Sequence, residues 1–128
     1  MKLNKKGFTL VELLAVIVVL AIIALIGFTA VGPIVDSSRK SAAENNILQY
    51  EHSLKIGCAA YQTQHPDATT ITVANALELA SFTGTAPTAS TGSWSLNATT
   101  CEVTSPTKAT SLSRECNYTT DTKTWKCN

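Results

Sequence analysis

Residues 5–35 read KKGFTLVELLAVIVVLAIIALIGFTAVGPIV, and the fold turns on how that stretch is read. Lys2, Lys5 and Lys6 precede an apolar run that opens abruptly at Phe8, and the 23 residues from Leu13 to Val35 carry no charge. A secretory signal peptide has an apolar core of roughly 7–15 residues and then a small-x-small cleavage site. This run is longer, rich in Ile and Val, and passes into helix-compatible sequence without a convincing cut at its far end. It supplies the roughly 20 apolar residues a helix needs to cross a bilayer. A basic start before such a run places the N-terminus on the cytoplasmic side and everything after about Asp36 outside. Glu12 resists the reading as a plain anchor. It lies between Val11 and Leu13, and a carboxylate in lipid is costly enough to imply a partner or a function.

The position of Glu12 suggests the partner. A cut between Gly7 and Phe8 creates an α-ammonium four residues before Glu12, one helical turn away. The two charges can neutralise each other within one chain or between neighbours. The decapeptide Lys5-Lys6-Gly7-Phe8-Thr9-Leu10-Val11-Glu12-Leu13-Leu14 resembles the class III signal of type IV pilins and type II secretion pseudopilins. The resemblance covers about residues 1–60; beyond them only the layout matches. It implies a membrane aspartyl prepilin peptidase that cuts after Gly7 and N-methylates Phe8. Glu12 then guides a subunit into a growing filament by pairing with the methylated N-terminus of one already there, so Phe8 and Glu12 are the expected assembly residues. The implied partners are further copies of the chain in a helical homopolymer, minor pilins, an inner-membrane assembly platform, and membrane lipid before assembly. The implied location is a single-pass membrane precursor with its head outside the cytoplasm, then a surface filament. The implied fold is α+β and type IV pilin-like, a long N-terminal helix against a small antiparallel β-sheet head. Three segments follow: a leader at 1–7, a transmembrane and filament-core half-helix at 8–35, and a soluble head at 36–128.

A continuous helix is expected from Phe8 to about Tyr61, roughly 80 Å at about 1.5 Å per residue. Gly27, Gly32 and Pro33 interrupt it. Pro33 removes a backbone donor and clashes one turn back, which predicts a kink or a locally melted stretch. The family's usual proline comes earlier in the apolar run, where this chain has Thr29. After Asp36 the pattern turns amphipathic over 36–62, with Ile47, Tyr50, Leu54, Cys58 and Tyr61 forming one apolar stripe. Arg39, Lys40, Glu44, Asn45, Glu51 and Lys55 fill much of the rest, with Glu51 and Lys55 read as an i,i+4 pair. Pro66 ends the helix near Gln62 to His65.

In the head, Thr72 to Ala80 reads as a short helix with Thr70 or Thr72 as cap. Thr83 to Gly92 reads as a Gly, Pro, Ser and Thr loop. A sheet is expected over about 93–127, with strands at Ser93–Ala98, Thr100–Thr104, Ser111–Thr119 and Lys123–Cys127, and a turn at Pro106 to Lys108. If Asp121 and Thr122 make the last turn, Tyr118 faces Trp125 and Cys116 faces Cys127. That register pairs Cys116 with Cys127 and leaves Cys58 to tie the helix to the sheet through Cys101. Pilins often carry one bridge enclosing a C-terminal loop, so Cys101–Cys127 and Cys101–Cys116 stay open. Four cysteines fit an oxidising exterior.

Composition bounds the function. Hydrophobic residues make up 45% and charged residues 15% of the 128, and Ser and Thr fill 20 of the 48 positions from Ser81 to Asn128. From Phe8 onward 7 basic residues face 9 acidic ones, a charge of −2, which argues against nucleic acid as a partner. Lys108, Arg114, Lys123, Lys126 and Trp125 are the one patch a nucleic-acid-binding minor pilin could use. His52 and His65 lack partners at a recognised zinc spacing and read as surface residues. No nucleophile set, metal cluster or phosphate loop appears, so neither an enzyme nor a cofactor is expected. Asn97-Ala98-Thr99 and Asn117-Tyr118-Thr119 match the glycan acceptor pattern, Glu115 extending the second toward the bacterial form. The leading expectation is a filament subunit; a pseudopilin of a type II secretion or DNA-uptake system, or a minor DNA-binding pilin, is the alternative.

Overall fold

The computed structural model describes residues 9–128. Its order is α1 (Leu10–Gln64), α2 (Val73–Leu79), β1 (Thr88–Thr91), β2 (Ser95–Leu96), β3 (Val103–Thr104), β4 (Lys108–Ser111), β5 (Arg114–Thr119) and β6 (Thr124–Cys127). The chain forms two compact units, one ending at Ser37 and one spanning Ser38–Asn128. In the first, the described residues are the apolar half of α1. In the second, the remainder of α1 packs against a small antiparallel sheet, which makes the architecture α+β and pilin-like.

The stripe on α1 is what the head buries. Ala43, Ile47, Leu54 and Cys58 are fully buried and Tyr50 nearly so. Burying side chains such as Ile47 and Leu54 contributes about 1.5–3 kcal/mol each. Ala43 and Ile47 join Ala109, Cys116, Trp125 and Cys127 in one cluster. Tyr50, Leu54 and Cys58 join Ile71, Ala76 and Cys101 in another. Helix α2 starts at Thr72, whose hydroxyl accepts from Asn75 N at 3.2 Å while Asn75 Oδ1 accepts from Thr72 N at 3.2 Å. It lies so close to α1 that a Cβ at Gly57 would meet Ala76 O at 1.9 Å, which only glycine avoids.

Polar side chains fasten the same helix to the sheets. Glu51 Oε1 accepts from Trp94 Nε1 at 3.2 Å, Trp125 Nε1 at 2.9 Å and Ser105 Oγ at 2.5 Å. Asn46 Nδ2 donates to Thr85 O at 2.7 Å and to Ser111 Oγ at 3.0 Å, and that hydroxyl donates to Ala43 O at 3.0 Å. Glu44 Oε1 accepts from Cys127 N at 3.1 Å. Glu51 is thus not a surface partner of Lys55, as its spacing suggested. Its carboxylate turns to two indoles from remote sequence, whose arrival no local pattern announces.

The strands differ from expectation in several places, and those expected at Ser93–Ala98 and Thr100–Thr104 shorten to the two-residue β2 and β3. The stretch 83–92 is not all loop: Thr88–Thr91 pairs with β4 as an edge strand. The strand expected at 111–119 is split by a two-residue turn at Leu112 and Ser113, with φ of 48° and 65°. Two positive φ values in a two-residue loop are the pattern of a type I′ hairpin, normally signalled by Asn-Gly. Leu-Ser gives no such signal. Lys108 therefore begins β4 rather than closing a turn. The expected single sheet is two, a four-stranded sheet ordered β1-β4-β5-β6 and a separate β2-β3 pair. The β5–β6 register is as expected, with Cys116 opposite Cys127 and Tyr118 opposite Trp125, although the connection takes four residues. Disulfides join Cys58 to Cys101 and Cys116 to Cys127, with Cα–Cα distances of 5.7 and 4.0 Å.

Candidate functional site

Helix α1 begins with a reciprocal cap. Thr9 N donates to Glu12 Oε2 at 3.2 Å and Glu12 N donates to Thr9 Oγ1 at 3.2 Å. This is a capping box, and it satisfies two backbone donors that the first turn would otherwise leave unpaired. The carboxylate also lies at the positive end of the helix dipole. The T-x-x-E spacing carried that signal in the sequence. Gly7 and Phe8, the expected cleavage and methylation residues, lie outside the described residues.

Beyond the cap, every large apolar side chain from Leu10 to Val35 is exposed, from 38% at Val35 to 87% at Leu10 and Phe28. A helix apolar on all sides requires lipid or other protein around it. α1 is long and apolar enough to cross a membrane. The helix continues through Gly27, Gly32 and Pro33, so no stretch there is unwound in the single chain. Gly27 and Gly32 face open space. Thr29 Oγ1 donates to Ile26 O at 3.0 Å, which keeps a hydroxyl satisfied where no water reaches once the helix is covered.

The remaining candidates are dispersed. Trp125 is only 3% exposed, so it offers no ring for a base to stack on. Lys108 pairs with Glu115 at 3.5 Å. Lys123 and Tyr118 line a groove with Leu48, His52 and Lys55, whereas Arg114 lines a different cleft with Arg39. The basic patch proposed from sequence is therefore not assembled around an exposed aromatic. His65 stacks on Tyr61 at 4.2 Å, and His52 is exposed on α1. Asn97 Oδ1 accepts from Thr99 N and Thr100 N at 2.9 and 3.1 Å, and Asn117 sits in mid-β5 opposite Lys108 and Lys126. Among the described residues no group of three or more His, Cys, Asp or Glu is placed to hold a metal ion. Burial pushes the Tyr50 hydroxyl above its ordinary value of 10.0.

Residues 2–28 match the family model of the prokaryotic N-terminal methylation motif. No curated protein and no solved structure gives a significant match to the chain. The chain thus combines a prokaryotic N-terminal methylation motif with a pilin-like α+β architecture, and both are consistent with type IV pilins and pseudopilins.

Proposed function

We propose that this chain is a structural, non-enzymatic subunit of a type IV pilus-like surface filament. A prepilin peptidase cuts between Gly7 and Phe8 and N-methylates Phe8. The chain waits in the cytoplasmic membrane with its head outside. The apolar half of α1 then bundles with that of other copies. The observation that carries this reading is the unbroken exposure of Leu10 to Val35, most of it within the stretch that matches the methylation motif. Surface of that length needs lipid first and neighbouring helices afterwards. Glu12 leaves the lipid paired with the methylated N-terminus of a neighbour, its capping hydrogen bond to Thr9 holding the carboxylate at the helix start meanwhile. Gly27, Gly32 and Pro33 are where α1 bends or unwinds when packed in a fibre.

Intact mass and N-terminal sequencing of filaments sheared from the native host test the proposal. A protein beginning at N-methylated Phe8 and abundant in long fibres is the expected result. The processed protein confined to membranes with no fibre moves the assignment to a pseudopilin or minor pilin. An uncut mature protein beginning at Met1 overturns the reading.

A further inference from the structure

The β4–β5 turn combines features that its fold does not require. Its two residues hold positive φ, a conformation that costs an L-residue with a bulky side chain and that glycine or asparagine adopts readily. Leu112 nevertheless occupies the first position and stands 46% exposed. It lines one cleft with Ser113, Arg114, Glu115, Asn128 and Arg39 of α1. Arg114 Nη1 donates to Asn128 O at 2.5 Å, and Glu115 is held by Lys108 at 3.5 Å. Arg39 is exposed. An apolar tip flanked by arginines is the chemistry of the bilayer interface, where guanidinium groups meet phosphates and a leucine reaches the acyl boundary.

Chain connectivity bounds how far Arg39 can lie from the apolar run. Arg39 follows the last residue of the apolar run, Val35, by four positions. Whatever angle the head takes, four residues span at most about 14 Å. The opposite connection, Thr120–Lys123, reaches a groove lined by Leu48, His52 and Lys55, nine to sixteen residues farther along α1 from Arg39. At about 1.5 Å per residue that is roughly 14–24 Å farther up the helix. Within the head, the Leu112 turn therefore lies beside the start of its part of α1, and the other turn lies farther along that helix.

We infer that the Leu112–Ser113 turn, with Arg39 and Arg114, is a membrane-surface foot: it rests on phospholipid headgroups while the unassembled chain is anchored by Leu13–Val35. This rests on the reading of that run as a membrane span. Leaving the bilayer for a filament then requires the foot to release its phosphates, so the same contact sets a preference of the free subunit for anionic membrane.

The full chain in bicelles of phosphatidylethanolamine and phosphatidylglycerol, doped with a lipid carrying a gadolinium chelate on its headgroup, tests this by NMR. The expected result is loss of the Leu112 and Ser113 amide peaks and the Arg39 and Arg114 Nε peaks, with the Thr120–Lys123 connection, read at Asp121 and Thr122, retained. Combining Leu112→Asn with Arg39→Gln, which leaves the turn type intact, is expected to bring the Leu112–Ser113 region peaks back. Survival of those peaks in the unmodified chain overturns the inference. So does a loss that appears only as protein concentration rises and is matched by cross-links between copies, which would make the turn a subunit contact. Protection of the Leu13–Val35 amides from hydrogen exchange is read in the same samples. If they exchange freely, it is the membrane span that fails rather than the foot alone.

Discussion

Glu51 sits on α1 with donors from Trp94, Trp125 and Ser105, which belong to separate parts of the sheet region. Hydrogen bonds to a charged acceptor contribute roughly 1.5–3 kcal/mol each, and a buried donor left without a partner costs more than the bond was worth. Glu51→Ala should therefore destabilise the head by about 3 kcal/mol, and Glu51→Gln by about half of that. Chemical denaturation of the detergent-solubilised chain, followed by near-ultraviolet circular dichroism of the two tryptophans, measures both. Tyr50 gives a pH test at the same scale. Its folded hydroxyl ionises above 10.0, so the neutral phenol is the form the core accepts. Below pH 10 both folded and unfolded chains keep the proton and this stabilisation is fully present. As pH rises past 10 toward the folded value, the unfolded chain loses its proton first and stability falls. Tyr50→Phe should flatten that alkaline loss in unfolding curves recorded on either side of pH 10, and an unchanged slope would assign the loss to another group.

At the scale of elements, the hairpins show how much a turn contributes. The β5–β6 register was legible because Cys116, Tyr118, Trp125 and Cys127 alternate along both strands, and alternation fixes which face is buried. The β4–β5 turn was not legible, because Leu112 and Ser113 are poor residues for the backbone they adopt. Replacing both with Asn-Gly should stabilise the fold by about 1–2 kcal/mol by relieving two left-handed L-residues, seen as a rise in Tm. The same change removes the apolar tip that the membrane foot needs, so stability and docking should move in opposite directions. Strand β1 was hidden for a different reason. Thr88–Thr91 has no large apolar residue and follows Pro87, so its pairing depends on β4 already being present. Residues Thr72 and Asn75, by contrast, announce α2 locally, since a cap is a contact between residues three apart.

At the scale of the molecule, the two disulfides act over loops of different size. Cys58 and Cys101 are separated by 43 residues and Cys116 and Cys127 by 11. Loop-closure entropy then assigns about 4 kcal/mol to the first bridge and about 3 kcal/mol to the second. Replacing Cys58 and Cys101 together by serine should lower the head's Tm more than replacing Cys116 and Cys127 together, and peptide mapping under non-reducing conditions checks the pairing. The first bridge joins the helix to the turn before β3, and the second joins two strands that already pair along their length. The amino-acid sequence by itself determined the N-terminal motif, the all-round apolar half of α1, the buried stripe of its second half and the last hairpin's register. Each of these is a periodicity or a short spacing, and residues close in the chain are bound to express it. Only the tertiary structure decided that Glu51 gathers two indoles, that the sheet region is two sheets, and that Leu112 lies beside Arg39. Those depend on contacts between residues tens of positions apart, set by which surfaces fit once the stripe on α1 is covered.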